Sequence, residues 1–318
     1  MPSPQDNKLT IVSFANAPYF PLLYELVISI RQQVAAESCA ISIFDAGLDE
    51  AQLELLRPHV QDIVTPGWDL QRLPSYKRRK EHLKAFTCLP FIPRYFPGYE
   101  VYIWLDADCW VADWSAIELF VEGARRGKLA ICPSVDRAYR TVEFIDWFLH
   151  RPMQVRTFLY KHVKRAFGRR AAVELALHPE LNTGAFALHR DAPHWAAWAA
   201  WMERAAPRAR VYGIDQLSVA MMIYKDKLPV ERLPAWCNWL CSSALPMVEA
   251  ETGRLLEPDL PHHPIGIVHL AGLDALRSSA KTTATLKRTD GGEETRPLRF
   301  LLPSEHGEAG PVTAFKRA

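Results

Sequence analysis

The chain of 318 residues has no CxxC pair and no apolar run near the ~18 residues that a membrane-spanning helix requires. Cys237 and Cys241 have no second pair to complete a zinc site, so the six scattered cysteines are expected to be reduced, small core residues. The opening MPSPQDNKLTIVSF lacks the charged start, apolar run and small-residue cleavage site of a secretory signal. Neither sign of charge is in excess. The formal net charge of +2 gives no whole-molecule pull toward nucleic acid, and no nucleic-acid partner is expected. Internal repeats and low-complexity blocks are missing as well. Together these absences make a cytoplasmic globular protein the expectation. What is present agrees: 49% apolar and 23% charged residues exclude disorder of the whole chain. The 24 prolines predict many loops and abrupt element ends.

Apolar periodicity gives the organisation. LTIVSFAN (Leu9 to Asn16) predicts a buried strand ending in a polar turn, and FPLLYELVISIRQQVAA a helix. CAISIFDAG, LDEAQLELLRPH and DIVTPGW continue as strand, helix and short strand or loop. KEHLKAFTCLPFIPRYF predicts a helix interrupted at Pro90 or Pro93, before the strand YEVYIWLDAD. This βαβαβ alternation predicts an α/β fold with a doubly wound, mainly parallel central sheet flanked by helices. Later strands are KLAICPS, TGAFALHR and GIVHLAG, with helices near Ala192 to Ala206 and at DQLSVAMMIYK. One principal domain over residues 1–277 is expected, followed by a C-terminal extension over 278–318. Within the extension, SSAKTTATLKRTDGGEET predicts an exposed or mobile connector, and PLRFLLP an edge strand or an isolated staple.

YIWLDADCWV (Tyr102 to Val111) poses a chemical question, because Asp106 and Asp108 sit among aromatic and β-branched residues. Unpaired carboxylates are costly in such surroundings. In an open α/β sheet, ligands gather at the carboxyl ends of strands, where this pair emerges. Two carboxylates two residues apart can hold one hard divalent cation, magnesium or manganese, and leave positions open for diphosphate oxygens. Taken alone, DxD better suits a helix cap beside a solvated loop residue, and it is the apolar aromatic strand before it that favours the metal.

Further segments add to it. Asn182-Thr183-Gly184 opens a strand where glycine permits close approach of backbone to a ligand. Asp215 and Gln216 start an apolar helix, where an aspartate also suits an N-cap. His269 ends an aliphatic run three residues before Gly272, as a metal ligand or a satisfied core histidine.

In this order and spacing the segments resemble the glycosyltransferases of the GT-A fold, most closely the family 8 type that includes bacterial galactosyl- and glucosyltransferases and glycogenin. The resemblance runs from about Leu9 to Gly272, and LDADCWV matches the family's strand of the form hhhLDxDhhV. It implies a metal site of Asp106, Asp108 and His269 for Mn2+ or Mg2+. It implies donor contacts from Asp106, Asn182, Thr183, Gly184 and Gly272, with Asp215 and Gln216 flanking the anomeric carbon. It also places Phe14 and Tyr19 as stacking surfaces for the nucleotide base, Asn16 as a hydrogen-bonding partner, and Lys84 as a basic residue reaching the donor. The implied reaction is transfer from a nucleotide-diphosphate sugar, foremost a UDP-sugar, to a glycan, glycolipid or other hydroxyl acceptor with retention of configuration. Were the enzyme inverting, Asp215 would be the candidate general base.

The chain departs from the pattern at one point. The family follows the histidine with Gly-x-x-Lys-Pro-Trp, whose lysine binds the diphosphate. Here Ala275 stands in that place, and Arg277 or Lys281 is the substitute. On the acceptor side, Trp236 and Asn238 in PAWCNWL could line a groove, whereas Trp195, Trp198 and Trp201 at helical spacing suit a core. RPMQVRTFLYKHVKRAFGRR (Arg151 to Arg170) is basic and aromatic. It suits a solvated helix face, or a peripheral contact with anionic lipid at the inner membrane face or with a charged glycolipid. A sugar-1-phosphate nucleotidyltransferase would need glycines after the first strand, and SFANAPYFP has none. A phosphatase with an aspartyl nucleophile would carry DxD on its first strand. The alternative left standing is a non-catalytic nucleotide-sugar or carbohydrate-binding relative. The composition does not address the oligomeric state.

Overall fold

The computed structural model describes residues 9–139, 143–300, 302–303 and 309–310. MPSPQDNK and most of the C-terminal extension beyond Phe300 lie outside the described residues. The chain begins with β1 (Leu9–Ala15), α1 (Phe20–Arg31), β2 (Ala40–Asp45), α2 (Glu50–Leu56) and the short β3 (Asp62–Val64). A capping box starts α2: the Asp49 carboxylate accepts from the Gln52 amide, and the Gln52 side chain accepts from the Asp49 amide. The helix expected from Lys80 onward is instead a pair of 3-10 turns, Glu81–Phe86 and Leu89–Phe91, and one α turn, α3 (Ile92–Tyr95). Pro90 and Pro93 offer no N–H, so the bonds back to the carbonyls of Phe86 and Leu89 that would continue a helix are missing.

Next come β4 (Val101–Leu105), β5 (Cys109–Val111), α4 (Ser115–Arg125) and β6 (Leu129–Pro133). β7 (Glu143–Phe148) and β8 (Arg151–Thr157) pair as a hairpin, so the basic segment becomes helical only at α5 (Phe158–Phe167), followed by α6 (Arg169–Leu175). β9 (Leu181–His189), α7 (His194–Ala205), α8 (Ile214–Ala220) and β10 (Val230–Arg232) complete the main layer. Small elements follow: β11 (Trp239–Leu240), β12 (Met247–Val248), β13 (Leu255–Leu256), β14 (Ile267–His269) and α9 (Asp274–Ser278). The stretch expected as an exposed connector is mostly exposed but forms a hairpin, β15 (Thr283–Lys287) with β16 (Glu293–Pro297).

The central sheet has seven strands in the order β10-β6-β9-β4-β1-β2-β3. All pairs are parallel except those of β9, which runs antiparallel between β4 and β6. Both faces are covered, which is why its strands are nearly continuous apolar runs. Along β4, Tyr102 and Trp104 enter one core while Val101, Ile103 and Leu105 enter the other. Trp195, Trp198 and Trp201 on α7 are buried in the first of these cores. The six cysteines are buried and free. Among the described residues no helix is long and apolar enough to cross a membrane.

Two features of this topology position the site. The antiparallel insertion of β9 sets its first residues against the last residues of β4, with Leu105 opposite Ala185. A second sheet, β11-β14-β5, sets His269 opposite Cys109. The C-terminal PLRF stretch works as a staple: Leu298 is buried, its carbonyl accepts from Trp110 Nε1 at 2.9 Å, and Phe300 packs on the Trp110 ring.

Candidate active site

β4 ends at Leu105, and its ladder continues for one more bond, from the Asp106 amide to the Gly184 carbonyl at 2.8 Å. The chain then turns, with the Cys109 amide bonded to the Asp106 carbonyl at 2.9 Å, and re-enters structure as β5. The turn presents both carboxylates to one side. Asp106 Oδ1 accepts from Trp104 Nε1 at 2.8 Å, and its Oδ2 lies 3.9 Å from His269 Nε2. Asp108 is buried, with Oδ1 3.3 Å from His269 Nε2 and Oδ2 2.9 Å from Arg277 Nη1.

His269 is held from behind. Asn238 Nδ2 donates to Asn182 Oδ1 at 3.0 Å, so Asn238 Oδ1 accepts from His269 Nδ1 at 2.9 Å. That bond fixes the tautomer and aims Nε2 at the two carboxylates, the arrangement by which outer residues orient a ligating histidine. The same Asn182 Oδ1 accepts from the Gly184 amide at 2.9 Å. Gly184 must be glycine, because a Cβ there would lie 2.3 Å from His269 Cε1 and 2.9 Å from Asp106 Oδ2.

A neutral imidazole nitrogen facing two carboxylates is repulsive unless a cation lies between them. Without a metal, a proton on His269 serves. Burial lowers its pKa, but the carboxylate of Asp108 overrides burial and raises it. Burial pushes Asp108 up, yet His269 and Arg277 bring it down to about 2. Asp106 is raised by burial and by its neighbour Asp108. The donor atoms therefore suit a divalent cation. Asp108, Cys109 and His269 also bring one ligand atom each within 4.8 Å of one another. The Cys109 thiol is pushed well up by burial and the two aspartates, so oxygen and imidazole are the better ligands here.

Opposite the carboxylates stands the start of α8. Its N-cap is Gly213, in the left-handed region at φ +80°, so Asp215 does not cap the helix. Asp215 Oδ2 instead accepts from the Thr183 hydroxyl. Its Oδ1 is buried with no hydrogen-bond partner among the described residues. Burial raises Asp215 to about 6, and raises the nearby Glu180 to about 7 with help from Asp215.

A cavity of about 620 Å³ joins these groups. Phe14, Asn16, Tyr19, Asp106, Asp108, Asn182, Thr183, Gly184, Asp215, Gln216, His269 and Gly272 all line it. Lys84, Trp236 and Asn238, also singled out in the sequence, do not. Lys84 is buried in an ion pair with Glu81, with its ammonium 6.0 Å from the centre of the Trp68 ring. Trp236 stacks on His263 at 4.2 Å, and Asn238 stands behind His269. Of the two substitutes for the missing lysine, Arg277 lines the cavity and Lys281 does not. Tyr212, His82 and Phe86 also line the cavity and carried no motif that could have marked them.

No family model and no curated protein sequence matches the chain. Solved structures do. The apo structure of the bifunctional glycosyltransferase WbbM aligns with 86% of this chain and 47% of its own, at 14% identity and a TM-score of 0.50. The galactosyltransferase LgtC, in complex with donor and acceptor sugar analogues, aligns with 83% of this chain and 87% of its own at 14% identity and a TM-score of 0.48. Mouse xyloside xylosyltransferase 1 aligns over 83% of this chain and 98% of its own, at 12% identity and a TM-score of 0.45. The chain spans about half the length of WbbM. With the largely parallel seven-stranded sheet, the likeness to WbbM shows a fold of the GT-A glycosyltransferase kind.

Proposed function

We propose that the protein is a glycosyltransferase that moves a sugar from a nucleotide-diphosphate sugar, a UDP-sugar, to a hydroxyl acceptor. The observation that carries this reading is the convergence, across one cleft, of the Asp106–Asp108–His269 cluster and the Asp215 carboxylate held by Thr183. A cleft with this many carboxylates repels a bare diphosphate, so a cation must mediate, and the cluster's donor atoms fit one. Asp106, Asp108 and His269 would hold Mn2+ or Mg2+. When bound, that ion would draw off negative charge from the departing diphosphate.

The remaining roles belong to the chain itself. Phe14 and Tyr19 offer stacking surfaces for the base, and Asn16 a hydrogen-bonding group beside them. Asn182 and the Gly184 backbone leave room for the sugar. Asp215, which lines the cleft and is oriented by the Thr183 hydroxyl, would accept a hydrogen bond from a donor-sugar hydroxyl. Gln216, which lines the cleft, would position the anomeric carbon. In the reaction the bond from the anomeric carbon to the diphosphate oxygen breaks and the acceptor oxygen bonds to that carbon. The acceptor's proton passes to the departing diphosphate, in keeping with retention of configuration. The Arg277 guanidinium would take the place of the family's phosphate-binding lysine.

Thermal denaturation against a panel of nucleotide diphosphates and nucleotide sugars, with and without Mn2+, tests this. A ligand that binds only the folded state raises the midpoint. The expected result is a Mn2+-dependent rise with uridine diphosphate that Asp108→Asn removes. An Asp108→Asn chain that responds like the wild type would sink the metal-site assignment. Failure of every nucleotide would favour the non-catalytic carbohydrate-binding relative.

A further inference from the structure

Basic residues from separate segments gather near the cleft wall formed by Tyr212 and Gly213. Three of these, Lys161, Lys164 and Arg165, are exposed on α5. The loop that follows α7 carries two more exposed cations, Arg208 and Arg210, just before the cleft wall begins at Tyr212.

Geometry ties these segments together. Arg165 Nε donates to the Arg208 carbonyl at 3.2 Å. The Lys77 ammonium donates to the carbonyls of Ala206, Pro207 and Ala209 at 2.9, 3.1 and 2.6 Å. From α5 the His162 ring stacks on Phe158 at 4.0 Å and lies close against Gly213, where an added Cβ would be 3.0 Å from the ring. Gly213 itself lines the cleft. The basic segment therefore packs directly behind the cleft wall at Gly213, two residues past Val211 and next to Tyr212.

Among the described residues, Arg165, Arg208 and Arg210 form no ion pair with a carboxylate, although packing like charges together costs free energy. The crowding is felt locally: burial, then Arg210, Lys161 and Arg165, push His162 down to about 4. Beside the cations, Tyr212 is 59% exposed on the cleft rim and braced edge-on by Phe86 at 5.3 Å. An exposed aromatic face suits a sugar ring, and uncompensated cations next to it suit an anion.

We infer that this rim binds the acceptor, and that the acceptor is a phosphate-bearing saccharide. The anion would lie among Arg165, Arg208 and Arg210, and the ring on Tyr212 beside Asp215 and Gln216. The inference rests on the transferase reading of the cleft and adds the class of its second substrate.

The test uses glucose 1,6-bisphosphate as probe and glucose as uncharged control, titrated calorimetrically into the full chain in EDTA. EDTA keeps metal-dependent binding at the donor side out of the signal. Arg210→Glu is compared with Lys287→Glu, an equal charge change on the exposed hairpin strand β15. The expected result is binding of the bisphosphate but not of glucose, weakened about tenfold by Arg210→Glu and less than twofold by Lys287→Glu. Equal losses in the two variants, or no binding to the wild type, would overturn the inference. Retention on phosphatidylglycerol vesicles without binding of the bisphosphate would also overturn it, by assigning the rim to a membrane surface. Uridine diphosphate with Mn2+ is titrated separately into the wild type, so a failed donor site shows independently of the rim.

Discussion

At the scale of single residues, Arg277 is the most informative side chain of the cleft. Its guanidinium bonds Asp108 Oδ2 at 2.9 Å, while His269 faces the other oxygen of the same carboxylate. A divalent cation arriving at Asp108 must therefore displace or share with a resident cation. Arg277→Met should tighten Mn2+ binding several-fold in the absence of nucleotide, measured from free Mn2+ by electron paramagnetic resonance. Unchanged or weaker binding would show that Arg277 does not compete. The neighbouring backbone makes the opposite prediction. Gly184→Ala drives a methyl group into His269 and Asp106, so Mn2+ binding should be lost. Overpacking of this kind costs about 1–3 kcal/mol, so far-UV circular dichroism at 25 °C should stay native. Asn238 had been singled out as an acceptor contact, yet it lies behind His269. No local pattern could reveal this, since the partner is 31 residues away.

At the scale of elements, the C-terminal staple holds the site from outside. Arg299 Nε donates to Glu25 Oε2 at 2.9 Å, and both side chains are buried. Arg299 Nη1 also donates to the Arg277 carbonyl at 3.3 Å, tying α9 to α1. Removing one partner of a buried ion pair leaves the other charge uncompensated, at a cost of about 3 kcal/mol or more. Arg299→Met should lower the urea midpoint accordingly, and Glu25→Gln added to it should recover part of the loss. A double variant as unstable as the single one would refute this account. The helix expected after Lys80 is interrupted near Pro90 and Pro93 for a reason visible in the sequence, the missing N–H groups, whereas nothing in the sequence marked the 3-10 form of Glu81–Phe86. The hairpin of β15 and β16 was hidden for the opposite reason. Its strands are polar and mostly exposed, so no alternating apolar pattern marks them.

At the scale of the whole molecule, buried titratable groups set opposing pH dependences. Burial holds Glu180 at about 7, above its ordinary value of 4.5, so the folded chain keeps a proton that the unfolded chain releases. Its stabilising contribution is full below pH 4.5 and is lost as pH rises through 7. His162 runs the other way: its contribution is present above pH 6.5 and is lost as pH falls toward 4. Each is worth on the order of 2 kcal/mol once partial exposure is allowed for. Stability against pH, measured by urea unfolding from pH 4 to 8, should fall less on acidification in His162→Phe and less on alkalinisation in Glu180→Gln. Profiles parallel to the wild type in both variants would contradict the assignment.

The amino-acid order alone determined the α/β class, the strand that carries Asp106 and Asp108, and the burial of the tryptophan stripe on α7. These follow from local periodicity and from the cost of placing carboxylates beside apolar strands, which act within a few residues. Only the tertiary structure decided which distant groups meet. The antiparallel β9 puts Gly184 against Asp106, and β14 pairs with β5 to bring His269 to Asp108. It also chose Arg277 over Lys281 for the cleft, turned Lys84 toward Glu81, and drew α5 and the 206–211 loop into one basic rim. Register between strands and the packing of one segment on another depend on contacts across tens to hundreds of residues, and local sequence patterns do not encode them.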